Sequence, residues 1–236
     1  MELPPPTTYL DLAKMVDHSL LRPELTEEQV SEGCRIARED HVASVTVRPA
    51  DVDLAAGWMA GSGVPVGSVA GFPHGSQTTP AKLYEARDLL RRGAREIDMV
   101  LNIGKLISRQ FQFVETELAQ MAQVCHEAGA ILKVIFENAY LTNELKIIAC
   151  QVATRAGADF VKTSTGFAPT GATLEDLRLM RAHAGPHVQV KAAGGVRSLE
   201  RALEVRQAGC SRFGATATVT ILEDWKARLA AAAGGQ

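Results

Sequence analysis

Three lysines stand inside apolar segments, where a charged side chain is unexpected. Lys133 lies in Leu-Lys-Val-Ile, Lys162 in Phe-Val-Lys-Thr-Ser and Lys191 in Val-Gln-Val-Lys-Ala. The chain carries 17 arginines but only 8 lysines, so lysine is not its usual surface cation. Unlike arginine, lysine can lose its proton in a protein and then act as a nucleophile. The pattern therefore favours amine chemistry at a carbonyl group.

Such chemistry needs a neutral amine, and a lysine pair is one way to obtain it. Lowering a lysine pKa from about 10.4 to about 7.5 destabilises the cation by roughly 4 kcal/mol. A second ammonium at about 6 Å, with an effective dielectric near 20, supplies roughly 2–3 kcal/mol, and burial can supply the remainder. Lys162 and Lys191, on consecutive predicted strands, are the expected pair.

Asp98 is a carboxylate at the centre of another apolar segment, Glu-Ile-Asp-Met-Val. A buried carboxylate needs a partner, and the strand lysines offer one. A plain alternative is an internal salt bridge that fixes the strand register, and the two roles are compatible. For the lysines, the alternative is a side chain at a sheet edge or one that reaches back to solvent. A closed barrel has no such edge.

The segments around these residues alternate between short apolar runs and longer amphipathic ones, which is typical of βα units on a parallel sheet. Helix starts are indicated by the capping box Thr26–Gln29 and by Thr173 and Ser198, and glycines at 93 and 209 indicate helix ends. Eight strands are predicted: Val16–Leu21, Ala43–Arg48, Val64–Ala70, Glu96–Asn102, Ile131–Glu137, Ala158–Ser164, Val188–Ala192 and Ser211–Gly214.

Eight strands in 236 residues predict an α/β fold with a single (β/α)8 TIM barrel domain over residues 1–236. Residues 1–7 and 230–236 are expected to be loose termini. The alternative, a doubly wound sheet, usually brings a glycine-rich phosphate motif after its first strand. The sequence contains neither G-x-G-x-x-G nor a Walker motif, so the barrel is favoured.

Small residues follow three of the predicted strands directly, as in Gly194-Gly195 and Gly214-Ala215-Thr216. In barrels, the loops after strands seven and eight frequently hold a phosphate through backbone N–H groups. The sequence therefore predicts a local phosphate site at this end of the barrel.

The overall composition excludes several other classes of function. A net charge of −2 gives no diffuse positive field, so neither nucleic acid nor a membrane is an expected partner. The chain has no apolar run long enough to span a bilayer and no signal-peptide pattern, which makes the cytoplasm the expected location. The cysteines and histidines show no metal-ligand spacing, so neither a metal nor another cofactor is expected.

Six segments in order resemble the signature blocks of the deoxyribose-phosphate aldolase family, and they cover nearly the whole chain, from about residue 16 to about 217. They begin at Val16 (Val-Asp-His-Ser-Leu-Leu), Gly71 (Gly-Phe-Pro-His-Gly), Gly93 (Gly-Ala-Arg-Glu-Ile-Asp-Met-Val), Leu132 (Leu-Lys-Val-Ile), Asp159 (Asp-Phe-Val-Lys-Thr-Ser-Thr-Gly) and Val190 (Val-Lys-Ala-Ala-Gly-Gly). The resemblance implies a class I aldolase that reversibly cleaves 2-deoxy-D-ribose 5-phosphate to D-glyceraldehyde 3-phosphate and acetaldehyde through a lysine Schiff base. It also implies a homodimer or larger homo-oligomer.

The resemblance also implies roles for individual residues. Lys162 matches the Schiff-base lysine, Lys191 the neighbour that lowers its pKa, and Asp98 the carboxylate of a proton relay. Lys133 and Asp17 match polar residues near the substrate hydroxyls. The remaining matches surround the substrate and its phosphate: Thr165, Gly166, Gly194, Gly195, Gly214 and Thr216.

The sequence departs from the family pattern at two positions. Thr46 stands where many members have a cysteine near the active site, which would alter inactivation by electrophilic aldehydes. Ala217 replaces the second of two serines after strand eight, so one hydroxyl donor to phosphate is expected to be lost.

Two alternative functions stay open at this point: a transaldolase-like enzyme acting on a larger sugar phosphate, and a non-catalytic barrel that binds phosphorylated ligands.

Overall fold

The computed structural model of the protein describes residues 3–234. Eight parallel strands close into one barrel, each strand pairing with its neighbours in sequence and β8 closing on β1. The strands are β1 (Val16–Leu20), β2 (Ser44–Val47), β3 (Val66–Ala70), β4 (Glu96–Val100), β5 (Ile131–Ile135), β6 (Phe160–Lys162), β7 (Gln189–Ala192) and β8 (Arg212–Ala215). The prediction of a (β/α)8 barrel is confirmed, with all eight strands at the expected places.

Helices connect the strands and surround the barrel. They are α1 (Tyr9–Ala13), α2 (Glu27–Glu39), α3 (Val52–Met59), α4 (Thr79–Arg91), α5 (Ile103–Ile107), α6 (Phe111–Glu127), α7 (Asn143–Arg155), α8 (Leu174–His183), α9 (Leu199–Gln207) and α10 (Thr218–Gly234), with short 3-10 turns at Pro49–Asp51 and Asn138–Tyr140. Within residues 3–234, none of the helices has the length and apolar character needed to cross a membrane.

The predicted helix boundaries have the expected local chemistry. Thr26 and Gln29 form a reciprocal capping box at the start of α2, and Thr173 and Ser198 cap α8 and α9 with their side chains. These side-chain oxygens accept from backbone N–H groups that the first helical turn leaves free. Beyond α9, Gly209 adopts a φ of 98°, a left-handed conformation that glycine takes without strain.

Residues 230–234, which were expected to belong to a loose terminus, continue α10 as helix. The physical reason is the alanine run at 230–233, because alanine has the highest helix propensity. Residues 3–7 have no regular secondary structure, but Thr7 N–H donates to Asp11 at 2.9 Å and Arg206 Nε donates to the Pro4 carbonyl at 2.8 Å. Residues 1, 2, 235 and 236 lie outside the described part of the chain.

The strands separate two environments, since successive side chains of a strand point to opposite faces. On β4, Ile97 and Met99 are fully buried in the apolar core that the helices cover. The alternate residues Glu96 and Asp98 take part in the ion pairs of the barrel interior. The strand register brings Asp98 beside Lys133, and Lys162 beside Lys191. The barrel thus positions the site at its centre.

Candidate active site

Seven charged side chains form one connected network of ion pairs inside the barrel. The cations are Lys133, Lys162, Lys191 and Arg212, and the carboxylates are Asp17, Glu96 and Asp98. Burying charges without partners is very costly, so each must be compensated inside the network. With every group ionised the network carries four positive and three negative charges. The loss of one proton from one lysine would make it neutral.

The three strand lysines differ in how many carboxylates hold them. Lys133 contacts all three, at 2.9 Å from Asp17, 3.1 Å from Asp98 and closely against Glu96. Lys191 contacts two, at 2.5 Å from Asp17 and 2.8 Å from Asp98. Of the three carboxylates in this network, Lys162 contacts Asp98 alone, at 2.7 Å. Lys162 is therefore the amine whose cation is least supported by its surroundings.

The pKa values of Lys133 and Lys162 shift in opposite directions, as their different numbers of carboxylate contacts predict. Burial lowers the pKa of Lys162 to about 8, opposed by the charge of Asp98 and assisted by the nearby cation of Lys191. Burial also disfavours the Lys133 cation, but the surrounding carboxylates outweigh it and raise the pKa of Lys133 above its usual range. From the sequence, the second ammonium was expected to cause the largest share of the pKa shift at Lys162. In the structure, burial is the larger cause.

Asp98 and Asp17 remain anions in this setting. Burial raises the pKa of Asp98, but the charges of Lys133, Lys162 and Lys191 together hold that pKa well below its usual range. The pKa of Asp17 is likewise lowered, because the surrounding cations outweigh its burial. Because Asp98 is ionised at rest, it can orient both amines, and a proton that it accepts would be held only transiently.

A cavity of about 480 Å3 opens above this network, at the carboxyl ends of the strands. Nine of the eleven predicted site residues line it: Asp17, Lys162, Thr165, Gly166, Lys191, Gly194, Gly195, Gly214 and Thr216. Asp98 and Lys133 do not line the cavity, and both are fully buried beneath it. The structure therefore brings the two amines of Lys162 and Lys191 to the cavity floor, with the carboxylate that contacts both of them below.

The loop after β7 leaves backbone open to the cavity. Gly194 and Gly195 have φ values of 80° and 93°, where a side chain would be strained. Gly171, in the loop after β6, lies against this loop, and a Cβ on Gly171 would stand 2.4 Å from the Gly194 carbonyl oxygen. The loops after β6 and β7 therefore approach too closely for any larger residue at position 171. Arg197 also lines the cavity, so this part of the wall includes a cationic residue. This wall suits an anion.

Ala217 does not line the cavity, contrary to the expectation that a phosphate donor is lost there. It is half-buried and packs against the core at the start of α10. Thr216, one residue earlier, lines the cavity. Because the chain turns into a helix at this point, successive side chains diverge, and the family pattern of two hydroxyls does not imply that both face the same site. Thr46 does line the cavity.

Two members of the charged network were not identified from the sequence. Glu96 precedes Asp98 by two residues on β4, and Arg212 precedes Gly214 by two on β8. Arg212 contacts Glu96 at 2.6 Å and lies 5.6 Å from the Phe160 ring centroid. The period of two along a strand would have placed both in the barrel interior, had it been applied to residues already singled out.

Glu137 was also missed, and it supports the cavity wall. It is buried after β5 with a φ of 52°, which is uncommon for a residue other than glycine. Its carboxylate accepts from the N–H of Thr165 at 3.3 Å and from the Thr165 hydroxyl. The Thr165 oxygen in turn accepts from Phe167 N–H at 3.0 Å. Glu137 therefore fixes the loop that follows the Lys162 strand.

In the described residues, 3–234, no group of three His, Cys, Asp or Glu side chains is arranged to hold a metal ion. The four cysteines are free and buried, and burial raises the pKa of each thiol to about 12. None of these four cysteines lines the cavity, whereas Lys162 and Lys191 do, so the site offers amines rather than thiols.

Comparison with known proteins agrees with this geometry. The model of the DeoC/LacD family of aldolases matches residues 12–227. The chain belongs to the DeoC/LacD aldolase family. The deoxyribose-phosphate aldolase of Caldanaerobacter subterraneus subsp. tengcongensis is 47% identical over 93% of this chain and 95% of the relative. That of Rhodopirellula baltica is 46% identical over 94% of this chain and 92% of the relative.

A solved structure extends the likeness to three dimensions. The deoxyribose phosphate aldolase of Aeropyrum pernix, described as having a unique tetrameric structure, superposes with a TM-score of 0.87. It is 32% identical, with 94% of this chain and 93% of the other covered. As a member of this aldolase family, the chain is an enzyme, and a non-catalytic ligand-binding barrel is not its class.

Proposed function

We propose that the protein is a class I aldolase that reversibly cleaves 2-deoxy-D-ribose 5-phosphate to D-glyceraldehyde 3-phosphate and acetaldehyde. The observation that carries the proposal is the amine of Lys162. It lines the cavity, touches a single carboxylate and has its pKa lowered to about 8 by burial. The names of the relatives, at 46–47% identity over most of both chains, support the choice of substrate.

The first step forms an imine. The neutral amine of Lys162 attacks the C1 aldehyde carbon of the open-chain sugar, and the carbinolamine then loses water to give a protonated imine. A pKa near 8 leaves about a tenth of the amine neutral at pH 7, against well under a thousandth at the reference pKa of about 10.4. The lowered pKa thus raises the concentration of reactive amine by more than two orders of magnitude.

The second step breaks the C2–C3 bond of the sugar. A base removes the proton of the C3 hydroxyl, and the bonding electrons move into the protonated imine to form an enamine. Glyceraldehyde 3-phosphate leaves with the former C3 as its aldehyde carbon. Lys191 lines the cavity at 2.8 Å from Asp98, so we assign it to exchange the proton with bulk water or substrate. Asp98, which does not reach the cavity, is a positioning residue that stabilises the charge on both amines.

The third step releases acetaldehyde. A proton returns to C2 of the enamine and regenerates an imine, which water hydrolyses to acetaldehyde and free Lys162. Protonation and deprotonation occur on the same face of the site if Lys191 serves both. The network returns to its starting charge after each turnover.

Phosphate recognition is proposed for the wall made by the loops after β7 and β8. That side of the cavity is lined by three glycines, which offer backbone, and by one hydroxyl-bearing and one cationic residue: Gly194, Gly195, Gly214, Thr216 and Arg197. Hydrogen bonds to a charged group contribute roughly 1.5–3 kcal/mol each, so this wall would make the phosphorylated sugar the preferred substrate. Lys133 then acts through Asp98, which it contacts, and Asp17 acts through Lys191. Asp17 also lines the cavity, whereas Lys133 does not.

Assembly and location are further parts of the proposal. A homodimer or larger homo-oligomer is supported by the tetramer described for the Aeropyrum pernix relative. Light scattering on the purified protein would measure the assembly, and a mass equal to one chain would contradict it. A cytoplasmic location is supported by the sugar-phosphate substrate, which cells keep inside.

The deciding experiment measures acetaldehyde release from 2-deoxyribose 5-phosphate with an excess of chelator present. We expect turnover that the chelator does not change and that Lys162→Arg abolishes. Cleavage of larger ketose phosphates, with none of deoxyribose 5-phosphate, would instead indicate a transaldolase-like enzyme. Loss of activity with chelator, restored by zinc, would contradict the lysine mechanism.

A further inference from the structure

One buried hydroxyl in the cavity wall has no partner. Thr46 on β2 is 2% exposed, and within residues 3–234 its Oγ1 makes no hydrogen bond. Buried polar atoms in proteins are almost always hydrogen-bonded, because a lost partner costs roughly 1–3 kcal/mol. Since Thr46 lines the cavity, its partner can be a bound molecule.

The neighbouring strand presents a second hydroxyl at the same level. The register pairs Thr46 with Ser19 of β1, and Ser19 also lines the cavity. Asp17, two residues before Ser19, lines the same side. The wall formed by β1 and β2 is therefore polar. In the barrel, β8 separates this wall from β6 and β7, which carry the two reacting lysines.

The order of strands limits what this wall can contact. Lys162 and Lys191 occupy β6 and β7, and the glycine backbone proposed for phosphate follows β7 and β8. With C1 of the sugar held as the imine and C5 held through its phosphate, the two remaining hydroxyls lie between these anchors. The C3 hydroxyl must face the proton-exchanging amine of Lys191, because it loses its proton when the bond breaks. The C4 hydroxyl is left for the β1–β2 wall.

We propose that Thr46 binds the C4 hydroxyl of the sugar, which is the α-hydroxyl of the aldehyde product, and so selects α-hydroxyaldehydes over aldehydes without that group. The inference rests on the proposed function and deepens it. A site built to hydrogen-bond a substrate hydroxyl discriminates against an analogue that lacks it, since its own polar group is then left unpaired.

The test uses the synthetic direction, with acetaldehyde as donor and two acceptors of similar size. Glycolaldehyde carries the α-hydroxyl, and propanal has a methyl group in its place. We expect Thr46→Val to lower the ratio of kcat/KM for glycolaldehyde over propanal by about tenfold. Thr46→Ser keeps a hydroxyl and should keep a ratio within about twofold of wild type.

Ser44→Ala is the matched control. Ser44 lies on the same strand, is buried and has no hydrogen-bond partner for Oγ within residues 3–234, but it does not line the cavity. Its removal should leave the ratio unchanged. An unchanged ratio in Thr46→Val, or an equal fall in Ser44→Ala, would overturn the inference.

A measurement on the wild-type protein keeps the inference testable if Thr46→Val does not fold. Only the parent sugar can close a furanose ring through its C4 hydroxyl, so kcat/KM is calculated on the concentration of open-chain aldehyde. On that basis the value for 2-deoxyribose 5-phosphate should exceed that for its 4-deoxy analogue by about tenfold or more. Equal values would overturn the role of Thr46 while leaving the aldolase proposal intact. No cleavage of either sugar would instead contradict the proposed function itself.

Discussion

Replacing Asp98 by asparagine should make Lys162 a better nucleophile and the protein a worse enzyme. Asp98 Oδ2 lies 2.7 Å from the Lys162 amine and 2.8 Å from the Lys191 amine. At 2.7 Å and an effective dielectric near 20, the attraction that favours the Lys162 cation is about 6 kcal/mol before solvation is counted. An opposite charge at such a distance typically moves a pKa by about 1–3 units.

The sign of the change follows from which form the carboxylate stabilises. Asp98 raises the pKa of Lys162, against the burial that lowers it. Removing the carboxylate therefore lowers that pKa from its value of about 8, by about 1–3 units. A fall of about 1.5 units would raise the neutral fraction at about pH 7.5 from roughly a quarter to roughly nine tenths. Turnover should nevertheless fall by about 100-fold or more, because Lys191 loses the group that orients it for proton transfer.

Trace labelling with acetic anhydride measures the first effect. The labelling of Lys162, followed by mass spectrometry from about pH 5 to 10, gives the midpoint of its titration. Glu96→Gln is the control, since it removes the same charge from the network at a carboxylate that contacts Lys133 and Arg212 instead. A labelling midpoint in Asp98→Asn that equals or exceeds the wild-type midpoint would refute the reasoning, as would an unchanged kcat.

Three further predictions follow from contacts elsewhere in the molecule. Lys191→Met removes the cation that disfavours the charged form of Lys162, so the labelling midpoint of Lys162 should rise. Lys191→Arg should keep that midpoint but still lower kcat by about tenfold or more, because arginine cannot exchange a proton. Thr216→Val should raise the KM for deoxyribose 5-phosphate several-fold, whereas Ala217→Ser, outside the cavity, should leave that KM within about twofold of wild type; a fall in KM on Ala217→Ser would contradict this placement. Lys82→Met leaves the buried carboxylate of Glu117, between α4 and α6, without its cationic partner. This variant should have a free energy of unfolding in urea that is lower by about 3–5 kcal/mol, with kcat unchanged.

The fold was predictable because several signals in the sequence agree. The βα alternation, the capping residues at 26, 173 and 198, and the absence of a glycine-rich nucleotide motif all favoured the barrel. The helical end of α10 was missed because a short alanine run beside glycines was interpreted by position rather than by propensity.

The site was predictable wherever a charge interrupts an apolar strand. Lys162, Lys191 and Asp98 were identified in this way, and the structure brings them into contact. Glu96 and Arg212 were missed because they stand at strand starts, where a charged residue is ordinary in the sequence. Glu137 was missed since its role depends on a left-handed backbone and on Thr165, 28 residues later, neither of which is visible in the sequence.

The relative weight of burial and charge at Lys162 was also beyond the sequence. Adjacent strand lysines suggest repulsion between cations as the cause of a low pKa. The register and the closed barrel place Asp98 between them, so that part of the repulsion is cancelled and burial becomes the larger cause. That balance depends on three-dimensional contacts.

Reductive trapping is the most direct test of the central claim. The protein is incubated with acetaldehyde or deoxyribose 5-phosphate, reduced with borohydride, digested and mapped by mass spectrometry. We expect the mass of one reduced adduct on Lys162, and none on that peptide in Lys162→Arg. An adduct on Lys191 or Lys133, or full activity with no adduct at any lysine, would contradict the assignment of Lys162 as the nucleophile.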